Sequence, residues 1–313
     1  MEGLVVRNTG YSYRVRTDGG ALFECKVKGN FRLRGIRSTN PVAVGDNVVF
    51  SMSAESDGQE QQGWITDVIG RRNYIIRRAS NLSKQSHILA SNVDRVVLVV
   101  TVDYPETSPT FIDRVLATAE AYRIPVTIAI NKMDRYDDSR LRIAEGLRTL
   151  YRSLDYTVYL ISALQPDGEF DHLRAELSTG TTLLSGNSGV GKSTLLNILV
   201  PDAMQKTAAI SDAHNTGMHT TTFSEMFFLP SGGRLIDTPG VKGFGTFDME
   251  REEVGHYFRE IFRYSRDCRY SNCTHIHEPG CAVLPAVENH LIAASRYNSY
   301  LSMLGDKEDG KYR

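Results

Sequence analysis

Residues 186–193 (GNSGVGKS) have the spacing of a phosphate-binding loop, G-x4-G-K-[ST]. In such a loop the glycines let the backbone turn its N–H groups toward phosphate oxygens. Lys192 would reach the β- and γ-phosphates, and Ser193 would offer its hydroxyl to Mg²⁺. The helix that should follow adds the positive end of its dipole. We predict that the phosphates contact Gly186, Asn187, Ser188, Gly189, Val190, Gly191, Lys192, Ser193 and Thr194.

A second motif, NKMD at 131–134, would select the base. A carboxylate at Asp134 can accept hydrogen bonds from the N1–H and the 2-amino group of guanine, a donor pair that adenine lacks. One βα unit later, residues 161–164 (ISAL) would place the backbone N–H of Ala163 near guanine O6. Asn131 would brace the loop, and the stem of Lys132 would lie along the base. The predicted guanine-binding residues are Asn131, Lys132, Asp134, Ser162 and Ala163.

The remaining nucleotide motifs follow the phosphate-binding loop. LIDTPG (235–240) ends an apolar strand, so that Asp237 would lie near Mg²⁺ and the N–H of Gly240 near the γ-phosphate. In HNTGMHTTTF (214–223) a threonine could complete the Mg²⁺ shell, although a Gly/Thr-rich stretch can equally be a plain connector. The usual chain order of these motifs starts at the phosphate-binding loop, and here NKMD comes first. We therefore predict a circularly permuted GTP-binding domain.

A cysteine cluster lies near the C-terminus. Cys268, Cys273, His275 and Cys281 form C-x4-C-x-H-x5-C, a set of three thiolates and one imidazole that suits tetrahedral Zn²⁺. His277 is the alternative nitrogen ligand, and three unrelated buried cysteines are the alternative explanation. Four protein ligands leave no open position, so the pattern predicts one structural zinc ion.

Composition narrows the class of protein without identifying it. The chain has 313 residues, enough for two or three domains, and a formal net charge of −1, so a nucleic-acid surface would have to be a local patch. No apolar run approaches the ~18 residues that a membrane helix needs. The N-terminal residues lack the pattern of a signal peptide. We expect a cytoplasmic protein, with reduced thiols available to bind metal.

Three regions must position these motifs. Residues 1–72 contain short β-runs with frequent turns, which predict an OB-fold barrel, although an SH3-like barrel fits the same pattern. Residues 73–248 alternate strands with helices, which predicts an α/β P-loop domain with a largely parallel sheet. At the boundary between these two regions, residues 71–92 are polar and basic and indicate a connector that could add a basic surface. Residues 249–313 predict a mostly helical zinc-binding domain.

A basic segment in the predicted barrel is a candidate RNA contact. Residues 28–37 (KGNFRLRGIR) combine cations with an aromatic side chain, as nucleic-acid-binding OB-folds do. A solvated, charged strand face is the alternative. The predicted RNA-binding residues are Lys28, Arg32, Arg34 and Arg37.

The motifs NKMD, GNSGVGKS, GMHTTT, DTPGV and CRYSNCTHIHEPGC together resemble those of the bacterial ribosome small-subunit-dependent GTPase A family (RsgA, also YjeQ or YloQ). The resemblance covers essentially the whole chain. It implies hydrolysis of GTP to GDP and phosphate, slow alone and faster on the small (30S) ribosomal subunit, late in maturation of that subunit. It also implies an OB-fold that contacts 16S rRNA and a zinc module that docks there. The family's magnesium-binding threonine falls on Thr221 and its proposed catalytic histidine on His219.

The sequence offers a physical reason for a catalytic His219. Ras-like GTPases often use a glutamine after the DTPG-type motif to orient water, and here Val241 follows Gly240. An apolar side chain cannot orient water, so another group must, although His219 can also be an ordinary surface histidine.

Our main hypothesis is a monomeric GTPase switch for small-subunit assembly, with GTP or GDP, Mg²⁺, Zn²⁺ and rRNA as its ligands. One alternative is a GTP-gated RNA-binding protein whose hydrolysis only resets it. Another is a GTPase with a non-ribosomal target, such as a tRNA or a membrane, but we find no amphipathic segment that supports the membrane version.

Overall fold

The N-terminal β-runs close into a five-stranded barrel. The computed structural model describes residues 1–27, 41–53, 62–78, 86–201, 224–238 and 249–309. The barrel strands are β1 (Glu2–Asn8), β2 (Tyr13–Arg16), β3 (Leu22–Val27), β4 (Asn47–Met52) and β5 (Gly63–Val68). Alternate side chains point inward, and Val5, Val15, Phe50 and Ile65 are fully or almost fully buried in the barrel core.

The pairing of these strands decides between the two predicted barrels. The strand order is β1-β2-β3-β5-β4, and β4 also pairs with β1, which closes the ring. All pairs are antiparallel except β3 and β5, which run parallel from Cys25 opposite Gly63 to Val27 opposite Ile65. This closed order with one parallel pair is the OB-fold order, so the OB-fold prediction is confirmed over the SH3-like alternative.

The predicted connector at residues 71–92 is wrong in part, because it forms a two-stranded antiparallel ribbon. Its strands are β6 (Tyr74–Arg78) and β7 (Ser86–Ser91). The ribbon forms because its few apolar side chains have a surface to cover: Ile76 and Ile88 pack against Ala43 of the barrel, and Ile75 joins the core of the central domain. Its polar composition masked this short apolar face.

The central domain is the predicted α/β layer structure. Its sheet has the order β10-β9-β8-β11-β13-β12, with only β12 antiparallel to its neighbour. The strands are β8 (Arg95–Val100), β9 (Val126–Ile130), β10 (Thr157–Leu160), β11 (Thr181–Ser185), β12 (Ser224–Phe228) and β13 (Arg234–Asp237). The helices are α1 (Pro109–Ala121), α2 (Asp138–Ser153), α3 (Gly168–Glu176) and α4 (Lys192–Leu199).

The helices cover both faces of this sheet, which explains its nearly continuous apolar strands. Along β8, Val96 and Leu98 pack toward α1 and α2, whereas Val97 and Val99 pack toward α3 and α4. The C-terminal ends of the parallel strands are therefore the edge at which the intervening loops can meet a ligand.

The barrel and the central sheet share one set of backbone hydrogen bonds. Strand β12 pairs antiparallel with β1, with Arg7 opposite Glu225 and Asn8 opposite Ser224, which makes a continuous sheet of eleven strands. The strand that pairs with the barrel thus comes directly after the Thr-rich segment 214–223 in the chain.

The C-terminal region is mostly helical, as predicted. It contains a 3-10 helix (Arg251–Tyr257), α5 (Arg259–Ser265), α6 (Val283–Glu288) and α7 (Ala294–Asp309). Helix α6 ends before His290, whose backbone is left-handed (φ 58°), so residues 283–309 form two helices rather than one. Within the described part of the chain, every helix is too short or too polar to span a lipid bilayer.

The C-terminal region is joined to α1 by a buried ion triad. The guanidinium of Arg296 donates to Glu260 at 2.6 and 3.1 Å and to Asp113 of α1 at 2.6 Å. All three side chains are at most 4% exposed. Although burial lowers the pKa of Arg296, the two carboxylates raise it above its ordinary value, so the guanidinium stays charged.

Candidate functional site

The phosphate-binding loop connects β11 to α4, where the sequence predicted it. Gly186 has φ 141° and Gly191 φ 101°, backbone conformations that favour glycine. A Cβ on Gly186 would lie 2.2 Å from the carbonyl oxygen of Val99, and one on Gly191 would lie 2.3 Å from the amide nitrogen of Asn131. The two glycines therefore serve both the turn and the close approach of the neighbouring loops.

Lys192 lies at the start of α4 and folds back over this loop. Its ammonium group donates to the carbonyl oxygens of Gly186 and Asn187 at 2.8 and 2.6 Å. Burial lowers the pKa of Lys192, and the nearby carboxylate of Asp237 opposes that shift. A cation held among carbonyl oxygens is well placed to bind the more strongly negative oxygens of a phosphate chain.

Asp237 ends β13 beside the phosphate-binding loop. It pairs in register with Leu184 of β11, and it is 6% exposed. Ser193, the second residue of α4, is exposed. The hydroxyl and the carboxylate are hard oxygen donors of the kind that Mg²⁺ prefers, so these two residues fit a magnesium site with a bound nucleotide.

Residues 131–134, which we call the guanine-reading loop after their predicted role, follow β9 and lie against the phosphate-binding loop. The side chain of Asn131 donates from Nδ2 to the carbonyl oxygen of Val190 at 2.9 Å. Its Oδ1 accepts from the backbone N–H of Ala163 at 3.0 Å. One buried asparagine thus holds three loops together, as its predicted bracing role requires. The Ala163 N–H is engaged by this bond, so a contact to guanine O6 would have to share or replace it.

Asp134 and Lys132, both predicted to bind guanine, lie on this loop after β9. Asp134 is exposed, and its Oδ1 accepts from the hydroxyl of Ser162 at 2.5 Å. Lys132 has a left-handed backbone (φ 70°), and its ammonium group donates to the carbonyl oxygens of Gly189, at 2.7 Å, and Tyr104. The hydroxyl of Ser162 therefore orients the carboxylate of Asp134. The side chain of Lys132 spans the gap between the guanine-reading loop and the phosphate-binding loop.

Some predicted residues lie outside the described part of the chain. These are Thr221 and His219 in the Thr-rich segment, Gly240 after Asp237, and Lys28, Arg32, Arg34 and Arg37 in the barrel.

The cysteine cluster forms a compact set of metal ligands. One ligand atom from each of Cys268, Cys273, His275 and Cys281 lies within 4.8 Å of the others. The Nδ1 of His275 is 3.6 Å from Sγ of Cys268 and 3.5 Å from Sγ of Cys281. A tetrahedral zinc ion with ordinary bond lengths would separate nitrogen and sulfur by about 3.6 Å, so the ligands already have the required spacing.

Burial of the cluster changes how readily its ligands ionise. Burial raises the pKa of Cys273 to about 12 and also raises that of Cys281, while burial lowers the pKa of His275. Neighbouring thiolates would repel one another here unless a cation compensated them. His277, the alternative ligand, is exposed and lies outside the set.

Glu278 organises the loop that carries His275, a role that the sequence analysis missed. Its carboxylate accepts from the backbone N–H groups of Thr274 (2.7 Å), Ile276 (3.0 Å) and His277 (3.2 Å), and from the Thr274 hydroxyl. Although burial raises the pKa of Glu278, these hydrogen bonds lower it well below its ordinary value. The signal was present in the H-x-x-E spacing, but any exposed loop glutamate would look the same.

The comparisons with known proteins agree along the chain. A sequence model described as RsgA GTPase matches residues 68–247, and one described as RsgA N-terminal domain matches residues 2–59. A relative from Bacteroides fragilis named "Small ribosomal subunit biogenesis GTPase RsgA" is 63% identical over 313 residues, which cover 100% of this chain and 99% of the relative.

Two solved structures are similar over almost the whole chain. The crystal structure of YjeQ from Thermotoga maritima has a TM-score of 0.73 and 34% identity, with 97% of each chain covered. The structure of YloQ, described as a circularly permuted GTPase, has a TM-score of 0.70 and 31% identity, with 100% of this chain and 96% of that chain covered.

Proposed function

Since this chain belongs to the RsgA family of GTPases, we propose that it hydrolyses GTP to GDP and phosphate in response to the small ribosomal subunit, late in maturation of that subunit. The main support for this proposal is the pair of hydrogen bonds made by the Asn131 side chain, which joins the guanine-reading loop to the phosphate-binding loop and to the loop of residues 161–164. A site that joins base selection to phosphate binding in this way suits a guanine nucleotide.

The described residues would divide the work of nucleotide binding. The carboxylate of Asp134 would accept from guanine, and Ser162 would hold it in place. Backbone N–H groups of the phosphate-binding loop and the ammonium group of Lys192 would bind the phosphates. Because phosphoryl transfer needs little covalent chemistry from the protein, such positioning and charge stabilisation supply most of the catalysis.

Magnesium would bind with the nucleotide. We assign its protein ligands to Ser193, Asp237 and Thr221, the last of which lies outside the described residues. When bound, Mg²⁺ neutralises negative charge on the β- and γ-phosphates. His219 would orient the attacking water, since Val241 cannot; this assignment also lies outside the described residues.

We assign zinc to the Cys₃His cluster, in a structural role. Three sulfur ligands and one nitrogen ligand at tetrahedral spacing favour zinc over the hard cations Mg²⁺ and Ca²⁺. Elemental analysis of the purified protein should find about one zinc per chain, because four protein ligands make a closed structural site.

The pairing of β12 with β1 suggests how nucleotide state reaches the barrel. Strand β12 begins one residue after the Thr-rich segment that would contact Mg²⁺ and the γ-phosphate, and its first residues pair with Asn8 and Arg7 of the barrel. Ordering of that segment by GTP would act on a strand that belongs to both domains. The barrel, with Lys28, Arg32, Arg34 and Arg37, would in turn contact 16S rRNA.

Three further parts of the proposal rest on the same premise. The domains would span residues 1–72, 73–248 and 249–313, the protein would act as a monomer, and it would work in the cytoplasm, where ribosomal subunits mature.

The test is GTP hydrolysis by the purified protein alone, with small ribosomal subunits, and with large subunits as the control. Strong stimulation by the small subunit only would support the proposal. Asp134→Asn, which keeps the phosphate-binding loop, should abolish hydrolysis at low GTP concentration. Hydrolysis without stimulation by small subunits would overturn the ribosomal assignment and leave a GTPase with another target, such as a tRNA.

A further inference from the structure

The hydroxyl of Tyr136 connects the guanine-reading loop to a loop outside all the nucleotide motifs. Tyr136 follows the 3-10 helix Met133–Arg135 and is 8% exposed. Its Oη donates to the carbonyl oxygen of Asn131 at 2.7 Å and accepts from the backbone N–H of Val102 at 2.9 Å. Both partners are backbone groups, so the hydroxyl fixes the course of two chain segments at one point.

The second segment is the loop of residues 101–108, which we call the support loop. It follows β8, which lies between the strands that carry the guanine-reading and phosphate-binding loops. The loop is closed on itself: the N–H of Thr101 donates to the hydroxyl of Thr107 at 3.1 Å, and the N–H of Thr107 donates to the carbonyl of Thr101 at 2.9 Å. It therefore offers a firm backbone surface to its neighbours.

The support loop touches both nucleotide-binding loops. The carbonyl of Tyr104 accepts from the ammonium group of Lys132, which also donates to Gly189. On the phosphate side, Gly189 approaches Pro105 so closely that a Cβ would lie 3.2 Å from the proline ring. The guanine-reading loop is thus held at two points, at Lys132 through Tyr104 and at Asn131 through Tyr136.

The geometry points to Tyr136 as a positioning residue for guanine selectivity: its hydroxyl seats the 131–134 loop on the support loop, so that the carboxylate of Asp134 meets the N1–H and 2-amino group of the base. Nothing in this role requires Tyr136 to touch the nucleotide. The inference rests on the proposed assignment of Asp134 to guanine.

Tyr136→Phe removes the hydroxyl and keeps the ring. The Asn131 carbonyl and the Val102 N–H then lose their partner in a buried place, where an unmade hydrogen bond is costly, and the loop can shift to recover other partners. A shift of the carboxylate harms a nucleotide that uses the 2-amino group more than one that lacks it. The diagnostic pair is therefore GDP and inosine diphosphate (IDP), which differ only in that group.

The experiment measures the dissociation constants of GDP and IDP by competition against a fluorescent GDP analogue. One hydrogen bond to a charged acceptor should give the wild-type protein a preference for GDP of roughly ten- to a hundredfold. In Tyr136→Phe we expect this preference to fall to within about threefold, as the bond to Asp134 is weakened or lost. In an Asp134→Ala background the same substitution should leave the ratio unchanged, because the group that reads the 2-amino function is already absent.

The matched control is Tyr156→Phe. Tyr156 is also buried, and its hydroxyl makes a 3.2 Å hydrogen bond to Glu120, but it lies just before β10, at the sheet edge opposite the nucleotide site. This variant should keep the wild-type ratio. An unchanged ratio in Tyr136→Phe, whether both constants rise together or neither moves, would overturn the inference.

A second measurement does not depend on any variant. In the wild-type protein, GDP should slow hydrogen exchange at the Val102 amide more than IDP does. The 2-amino group of GDP would bind Asp134 and hold the guanine-reading loop in place, which would stabilise the hydrogen bond from the Val102 N–H to Tyr136. Equal protection by the two nucleotides at saturation would count against the inference. A wild-type protein that binds neither nucleotide would instead refute the proposed guanine site itself, so the two failures are distinguishable.

Discussion

Replacing Arg296 with methionine should destabilise the contact between the C-terminal region and the central domain. The guanidinium is 1% exposed and makes three hydrogen bonds to two buried carboxylates, Asp113 and Glu260. Methionine fills much of the same space but leaves both carboxylates without their cation. Breaking a buried pair by removing one partner costs about 3–5 kcal/mol. For a chain of this size, the melting temperature should fall by on the order of 10 °C.

The loss should depend on pH in a defined direction. Burial already raises the pKa of Asp113 in the presence of Arg296, whose charge opposes that shift, so removing the arginine should raise the pKa further. The folded variant then binds more protons than the unfolded chain, and its stability decreases as the pH rises through the folded-state pKa. The difference from wild type should therefore be larger at about pH 8 than at about pH 5.5.

The assay is thermal unfolding followed by circular dichroism at both pH values. Arg174→Met is the control, because the Arg174–Asp171 pair is exposed and such pairs contribute at most about 1 kcal/mol. Combining Arg296→Met with Asp113→Asn and Glu260→Gln should recover much of the stability, since no buried charge then lacks a partner. A single variant that melts within about 2 °C of wild type at both pH values, a difference below about 1 kcal/mol, would refute the reasoning.

Three further predictions concern the sites. Asp134→Asn should weaken GDP binding by roughly a hundredfold or more, because a polar mismatch with the base replaces two hydrogen bonds. The variant should instead favour xanthine diphosphate, whose C2 oxygen can accept a hydrogen bond from the new amide. Calorimetry with both nucleotides checks this prediction, and a retained preference for GDP would contradict it. Glu278→Gln should lower the affinity for zinc by roughly 10–100-fold, because Glu278 orients the loop that carries the metal ligand His275. Competition with a chromophoric chelator measures this affinity, and an unchanged value would show that Glu278 does not organise the site. Charge reversal of Arg32 and Arg34 to glutamate should reduce both the affinity for rRNA and its salt dependence in a filter-binding titration, because fewer counterions are released; equal slopes would exclude this patch as the RNA surface.

The parts that were predicted correctly are those in which local sequence carries the physical cause. After Arg95, every position of β8 is apolar (VVLVV), because both faces of that strand are covered. The ribbon at 71–92 was missed for the opposite reason. Its apolar residues are few, and they are buried by packing against Ala43 of the barrel and against the core of the central domain.

The chemical motifs are legible in the sequence: the glycine spacing of the phosphate-binding loop, the carboxylate of NKMD, the permuted order of the motifs and the Cys₃His set. These depend on residue type and short spacing, which a chain displays directly. Tertiary structure alone decided which barrel forms, through the parallel pairing of β3 with β5, and which histidine joins the thiols. It also decided that Tyr136 seats the guanine-reading loop on the support loop and that Arg296 joins α5 and α7 to α1. Those contacts join residues whose partners are fixed by how strands and helices pack, so nothing near them in the chain predicts them.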